Sequence, residues 1–222
     1  DVEVTHLLYD RIVKENYSNN AIELEHKFAF WINKQEQHGV YFDETTAQSL
    51  HTILTKRKLE LEDKLALAFP AWDKHCGYKR YKRDNKKRGI KANVPVPVIK
   101  REIFNPNSRQ HIADRLITVL GWKPKSFTPT GQPEVNEKVL SGLKYPEAKL
   151  ISEYLMIQKR LGQLSDGDQA YLKLNKKGKI YGKVITNGAV TGRCTHHSPN
   201  LAQCVSSDSP FGKEFRSLFY SP

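Results

Sequence analysis

Residues 187–203 read NGAVTGRCTHHSPNLAQ. The stretch carries ligand-type and nucleophilic side chains, so its chemistry has to be read first. Cys194, His196, His197 and Cys204 are all zinc-ligand types. Their C-x-H-H-x6-C spacing follows none of the usual structural-zinc patterns, and adjacent histidines on a strand point to opposite faces. Cys194 and His196 would share a strand face, as an activated thiol and its base must, but no oxyanion loop or orienting carboxylate accompanies them. A third reading is a glycine-flanked turn that presents Arg193, His196, Asn200 and Gln203 as hydrogen-bond donors. Arg, Asn and Gln are poor acids and bases, but they bond well to nucleic-acid bases and backbone. A plain polar loop stays open on composition alone.

The charge distribution favours a polyanionic partner. The 222 residues carry 36 Lys and Arg against 24 Asp and Glu, a formal net charge of +12, with a pI near 9.5. Most of this sits in one segment, KHCGYKRYKRDNKKRGIKANVPVPVIKR, from Lys74 to Arg101. It holds eleven Lys or Arg and one acid, Asp84, a net +10 in 28 residues. Such charges repel one another unless an anion is present. Gly77, Gly89, Pro95 and Pro97 break any helix through it, so the segment reads as a loop. Tyr78 and Tyr81 lie among its cations, where rings can stack on bases or sugars.

The remaining composition sets limits. No apolar run approaches membrane-spanning length. The opening DVEVTHLLYD has neither the basic start nor the apolar stretch of a signal peptide. Three cysteines, Cys76, Cys194 and Cys204, fit a reducing compartment better than a disulfide framework. The only methionine is Met156, so the chain reads as a segment of a longer protein.

Helical periodicity flanks the basic segment. ELEHKFAFWINKQEQHG places Leu24, Phe28, Trp31 and Ile32 on one face, with Gly39 as a stop. Asp43 is positioned to cap a long helix from about Glu44 to Ala68, with Ala47, Leu50, Leu54, Leu61 and Leu65 inward and Pro70 ending it. NPNSRQHIADRLITVLGW repeats Ile112, Leu116 and Leu120 at helical spacing before Gly121. A fourth helix begins near Pro146 and runs through EAKLISEYLMIQKRLGQL. After Leu164 the pattern alternates, and AYLKLNKKGKIYGKVITNG reads as a β-hairpin turning at Asn-Lys-Lys-Gly. The fold class is therefore α+β: long helices with a basic loop, then antiparallel strands.

The T-G-R of residues 191–193, followed by P-N-L-A-Q, resembles the start of the palm in family A DNA polymerases, nearest to the phage replicative enzymes that recruit host thioredoxin. FNPNSRQHI from Phe104, GQPEVNEKVL from Gly131 and EYLMIQKRLGQ from Glu153 agree in order. So do FDE after Gly39 and the late SPFGKEFRSLF. The resemblance covers essentially the whole chain.

It implies a domain organisation of residues 1–20 as the tail of a 3′–5′ exonuclease domain and linker, 21–172 as the thumb, with a basic insertion at 70–103, and 173–222 as the start of the palm. Arg193 would reach the minor groove at the primer end, with Asn200 and Gln203 contacting the duplex nearby. Asn105 and Ser108 would meet the DNA backbone at a helix start, and Lys159 would contact the phosphate or the minor groove from the facing helix. The insertion, with Lys79, Arg80, Lys82, Arg83, Lys86, Lys87 and Arg88, would lie along the upstream duplex or dock a processivity factor. Asp1 would match a metal-binding aspartate of the exonuclease site.

The family's two palm aspartates, which hold Mg2+, are expected beyond Pro222, so the 222 residues alone are expected to lack polymerase activity. Primer–template DNA, dNTPs and the remainder of the polymerase would be the partners, in the cytoplasm of a phage-infected bacterium, with no membrane. The rival expectation is a separately encoded, non-catalytic DNA-binding half of a split polymerase.

Overall fold

The structure, a computed structural model, describes residues 1–15 and 17–222. It divides into two compact units: residues 1–52 with 161–222, and residues 53–160.

The first unit opens with helices α1 (Val2–Lys14) and α2 (Asn19–His38). Gly39 ends α2 at φ 69°, and an added Cβ there would come within 2.9 Å of the Tyr181 ring. The expected apolar face of α2 exists as a stripe but is not buried: Leu24, Phe28 and Trp31 are 66%, 40% and 64% exposed. Periodicity makes a helix amphipathic, but only a partner surface buries the stripe.

Strand β1 (Val40–Phe42) follows, and Asp43 caps α3 (Glu44–Ala68). The Thr46 amide donates to Asp43 Oδ1 at 3.0 Å and the Thr46 hydroxyl to Oδ2 at 2.6 Å. These bonds hold the Asp43 carboxyl below its ordinary pKa. Ala47 and Leu50 of α3 are buried in this unit, as read from the sequence.

The unit resumes at Leu161, where α6 (Pro146–Leu161) gives way to a π-helical turn over Gly162–Asp166. The expected hairpin arm at residues 171–174 is instead a helical turn, α7 (Tyr171–Leu174). Packing overrides the alternating pattern there. Tyr171 is fully buried, its ring 5.1 Å from Phe219 and 6.2 Å from Phe42. The tight turn itself is present: Lys177 and Gly178 both have positive φ, and Lys176 and Lys179 exchange backbone hydrogen bonds. The strand after it, β4 (Lys179–Ile180), pairs with β1.

Then come β5 (Lys183–Ile185), β6 (Thr195–His197), α8 (Gly212–Ser217) and β7 (Phe219–Tyr220). One antiparallel sheet has the order β4–β1–β7, with Val40 opposite Ile180 and Phe42 opposite Phe219. β5 and β6 form a separate two-stranded ribbon. Phe42, Leu164, Tyr171, Ile180, Phe215 and Leu218 fill the core of this unit.

The second unit packs the later turns of α3 with α4 (Arg109–Thr118), α5 (Glu137–Ser141) and α6. Leu54, Leu61, Leu65, Ile112, Leu116, Leu140, Ile151, Tyr154 and Ile157 are buried. Leu120, the third residue of the expected α4 face, is half-buried beyond the helix end. Polar groups lock the packing. Arg57 Nε donates to Glu153 at 2.7 Å, and the Tyr154 hydroxyl donates to Glu62 at 3.1 Å while accepting from Asn107 at 3.0 Å. Burial, with the Glu62 carboxylate second, pushes the Tyr154 phenol up to about 12.

The basic segment is not an irregular loop. It folds as an antiparallel ribbon of β2 (Trp72–Arg80) and β3 (Pro95–Glu102). Strand pairing is made by the main chain, so charged side chains do not forbid it. Pro95 and Pro97 fit because β3 is an edge strand. A register shift between His75 and Tyr78 forms a bulge, with Gly77 at φ 97°. At the base, Trp72 packs edge-on against His111, and the Arg115 guanidinium lies 3.8 Å over its ring. At the tip, an Asn85–Ile90 bridge encloses a 3-10 turn over Lys86–Arg88.

Candidate nucleic-acid interface

Four of the expected contact residues lie on one stretch of the first unit. β5 and β6 pair with Lys183 opposite His197, Val184 opposite His196 and Ile185 opposite Thr195. The connecting loop closes on itself: Ala189 N donates to Arg193 O at 3.1 Å, and Gly192 N donates to Ala189 O at 2.8 Å. Gly192 takes φ 73°. A Cβ at Gly188 would run into the Thr195 side chain, so that position needs glycine. Arg193 is exposed on this loop, and its Nε donates to Thr191 Oγ1 at 3.2 Å.

His196 is half-buried on β6 and lines a cavity of about 250 Å3 with Glu36, Val40, Ile180 and Leu201. Asn200 precedes a 3-10 turn over Leu201–Gln203, and its Oδ1 is enclosed with no partner among the described residues. Gln203 is exposed, and its carbonyl accepts from Gln163 Nε2 at 3.2 Å.

The thiol of Cys194 donates to Thr186 O at 3.3 Å within the same loop. All three cysteines are free thiols. Among the described residues no three His, Cys, Asp or Glu side chains come together as a metal site. The zinc reading therefore finds no support in the geometry. Asp1 is exposed at the N-cap of α1 and makes no side-chain capping bond.

The second unit holds the other expected contacts. Asn105 Oδ1 accepts from Asn107 N at 2.9 Å, and Ser108 Oγ caps α4 by accepting from His111 N at 3.3 Å. Both oxygens thus organise the helix start, leaving the Asn105 amide group and the Ser108 hydroxyl proton to donate outward. Lys159 is exposed in the last turn of α6. On the ribbon, Lys79 and Arg80 end β2, Lys82 and Arg83 follow it, and Lys86, Lys87 and Arg88 form the tip, all of them exposed. Lys74 and Lys100 stand directly opposite each other, a like-charge pair that costs stability.

Sequence reasoning missed Glu36. Its Oε1 accepts from Val184 N at 2.7 Å and its Oε2 from Lys183 Nζ at 3.0 Å. The Val184 amide, then Lys183, hold this carboxyl below its ordinary range. No local signal marks it, because its partners lie 147 and 148 residues away.

No helix among the described residues is long and apolar enough to cross a membrane. The family model for DNA polymerase family A matches residues 79–222. The chain is 35% identical over 247 aligned positions to the DNA-directed DNA polymerase of Escherichia phage T7, an alignment covering 91% of this chain and 35% of the relative. The DNA-directed DNA polymerase of Enterobacteria phage T3 matches at the same identity and coverage. The chain thus spans about a third of the length of these curated relatives. On the family match and this identity, the chain belongs to DNA polymerase family A.

Proposed function

We propose that these residues are the primer–template-gripping part of a phage-type replicative DNA polymerase, a nucleotidyltransferase acting on dNTPs. Residues 21–172 form the thumb, 173–222 begin the palm, and 1–20 are the tail of a 3′–5′ exonuclease domain. The observation that carries the reading is Arg193: an exposed guanidinium held out on a glycine-supported loop, with His196, Asn200 and Gln203 close behind it in sequence. Minor-groove acceptors occupy similar places in every correct base pair, so a donor there tests pairing without reading sequence. Asn105 and Ser108 add contacts to the DNA backbone, suited to a helix start, and Lys159, in the last turn of α6, contacts the phosphate or the minor groove. The ribbon cations run along the upstream duplex.

Divalent magnesium would supply Lewis-acid chemistry to such an enzyme. The residues described here do not assemble a site for it. Asp1 as an exonuclease metal ligand rests on the resemblance alone.

A second role for the ribbon, docking of a host processivity factor, is favoured by its exposed apolar side chains. Tyr78 and Ile99 are 68% and 62% exposed.

Primer-extension and DNA-binding assays on the full-length protein test the reading. Nucleotide addition with sequence-independent, salt-sensitive binding is expected. Absence of template-directed addition, or binding selective for one sequence, refutes it.

A further inference from the structure

We propose that Glu36 is a positioning residue for the β5–β6 ribbon and, through it, for Arg193; the inference rests on the reading of Arg193 as a primer-end contact. A two-stranded ribbon is marginally stable on its own in water. This one carries the loop that presents Arg193, so what holds its strands decides where the guanidinium points. Glu36 lies in the last turn of α2, a helix that buries none of its residues, yet its side chain is only 15% exposed. It reaches β5 with both oxygens, one to the Val184 amide at 2.7 Å and one to Lys183 Nζ at 3.0 Å.

The two bonds are not equal. Lys183 is 56% exposed, and an ion pair of that kind contributes little. The bond from the Val184 amide is short and charge-assisted, and it satisfies a main-chain donor of the ribbon. A second contact works in the same direction: the Tyr181 ring, two residues before β5, lies against Gly39 at the end of α2. Glu36 and Gly39 together fix the ribbon to the C-terminal end of α2. Arg193 has no comparable anchor of its own, since the bond shown from its side chain goes to Thr191 in the same loop.

The test uses the full-length protein with E36A, E36Q, R193A and the double variant E36A/R193A. Single-turnover primer extension and equilibrium primer–template affinity are measured for each, beside thermal melts. E36A is expected to slow extension by about ten- to a hundredfold, the scale of misplacing a contact by about 1 Å. Affinity for DNA should stay within about twofold, because phosphate contacts elsewhere dominate it. E36Q keeps an acceptor for Val184 but turns an amide toward Lys183, and its rate should fall between wild type and E36A. In the E36A background, R193A should cost less than in wild type, since coupled residues are not additive.

Wild-type extension by E36A, or independent addition of the two effects, overturns the proposal. If E36A proves unfolded in the melts, E36Q decides: slowed extension with retained fold and DNA affinity supports the proposal, and an unchanged rate overturns it. Normal extension by R193A removes the reading of Arg193 itself and the proposal with it. Slow extension by R193A alongside normal extension by both Glu36 variants removes only the role of Glu36.

Discussion

We predict that neutralising Lys79, Arg80, Lys82, Arg83, Lys86, Lys87 and Arg88 together will flatten the salt dependence of DNA binding without unfolding the protein. All seven side chains are exposed, and what anchors the ribbon, Trp72 against His111 and Arg115, lies at the opposite end from its tip. Removing mutually repelling charges relieves strain between neighbours and gives up only two exposed contacts, the Arg80 bond to Asn93 O at 3.4 Å and Lys79 over the Tyr81 ring. A ribbon has two faces, so only about half of the seven, roughly three or four, can meet phosphates at once. Each such contact contributes about 0.9 to the slope of log affinity against log salt, so the slope should become shallower by about 3. Between 50 and 200 mM salt a slope change of that size is a factor of about 60 in relative affinity. Fluorescence anisotropy on a labelled primer–template at four or five salt concentrations measures it. With single-nucleotide addition nearly unchanged, the product made per binding event should shorten. A slope identical to wild type, in a variant whose melting is also unchanged, would refute the reasoning and leave the ribbon's charge to another partner.

Three further outcomes are predicted. Arg193→Ala should slow single-turnover extension by about ten- to a hundredfold, the worth of a charged hydrogen bond of roughly 1.5–3 kcal/mol. Its melting should barely move, and Cys194→Ser should be nearly silent in both assays. If the cysteine variant is inactive and the arginine variant is not, the minor-groove reading fails. Tyr154→Phe leaves Asn107 and Glu62 without their shared hydroxyl and should destabilise residues 53–160 by about 1–3 kcal/mol, read as a lower denaturation midpoint by urea. The Glu36 carboxyl has a lowered folded pKa, so its stabilisation is complete above the ordinary value of 4.5 and is lost as pH falls through the lowered one. Melting temperature should therefore drop more steeply below about pH 4.5 in the wild type than in Glu36→Gln; parallel acid limbs would contradict that assignment.

The outward face of α2 and the inward face of α3 show how far a sequence pattern reaches. Both read as amphipathic helices. α3 buries Leu54, Leu61 and Leu65, whereas Leu24, Phe28 and Trp31 of α2 stay exposed. The period gives the helix in each case, and a facing surface gives the burial. The candidate contacts divide in the same way. Arg193, Asn200 and Gln203 stand out in the sequence as candidates because a short motif holds them together. Glu36 does not, because its bond is to a strand that the chain reaches only after another 147 residues.

What the sequence determined by itself was local: the Asp43 cap and the start of α3, the start of α6 at Pro146, the Asn-Lys-Lys-Gly turn, the position of the charge, and the family. Each of these is specified within a few residues by a side-chain bond, a restricted φ, or a motif. Tertiary structure alone decided that the strand after that turn pairs with β1, that residues 171–174 coil rather than extend, and that the basic segment forms a ribbon. Backbone hydrogen bonds are the same for every residue but proline, so a strand's partner is chosen by the packing of distant segments. Tyr171 against Phe42 and Phe219 fixed one such choice here, and Trp72 against His111 anchored another.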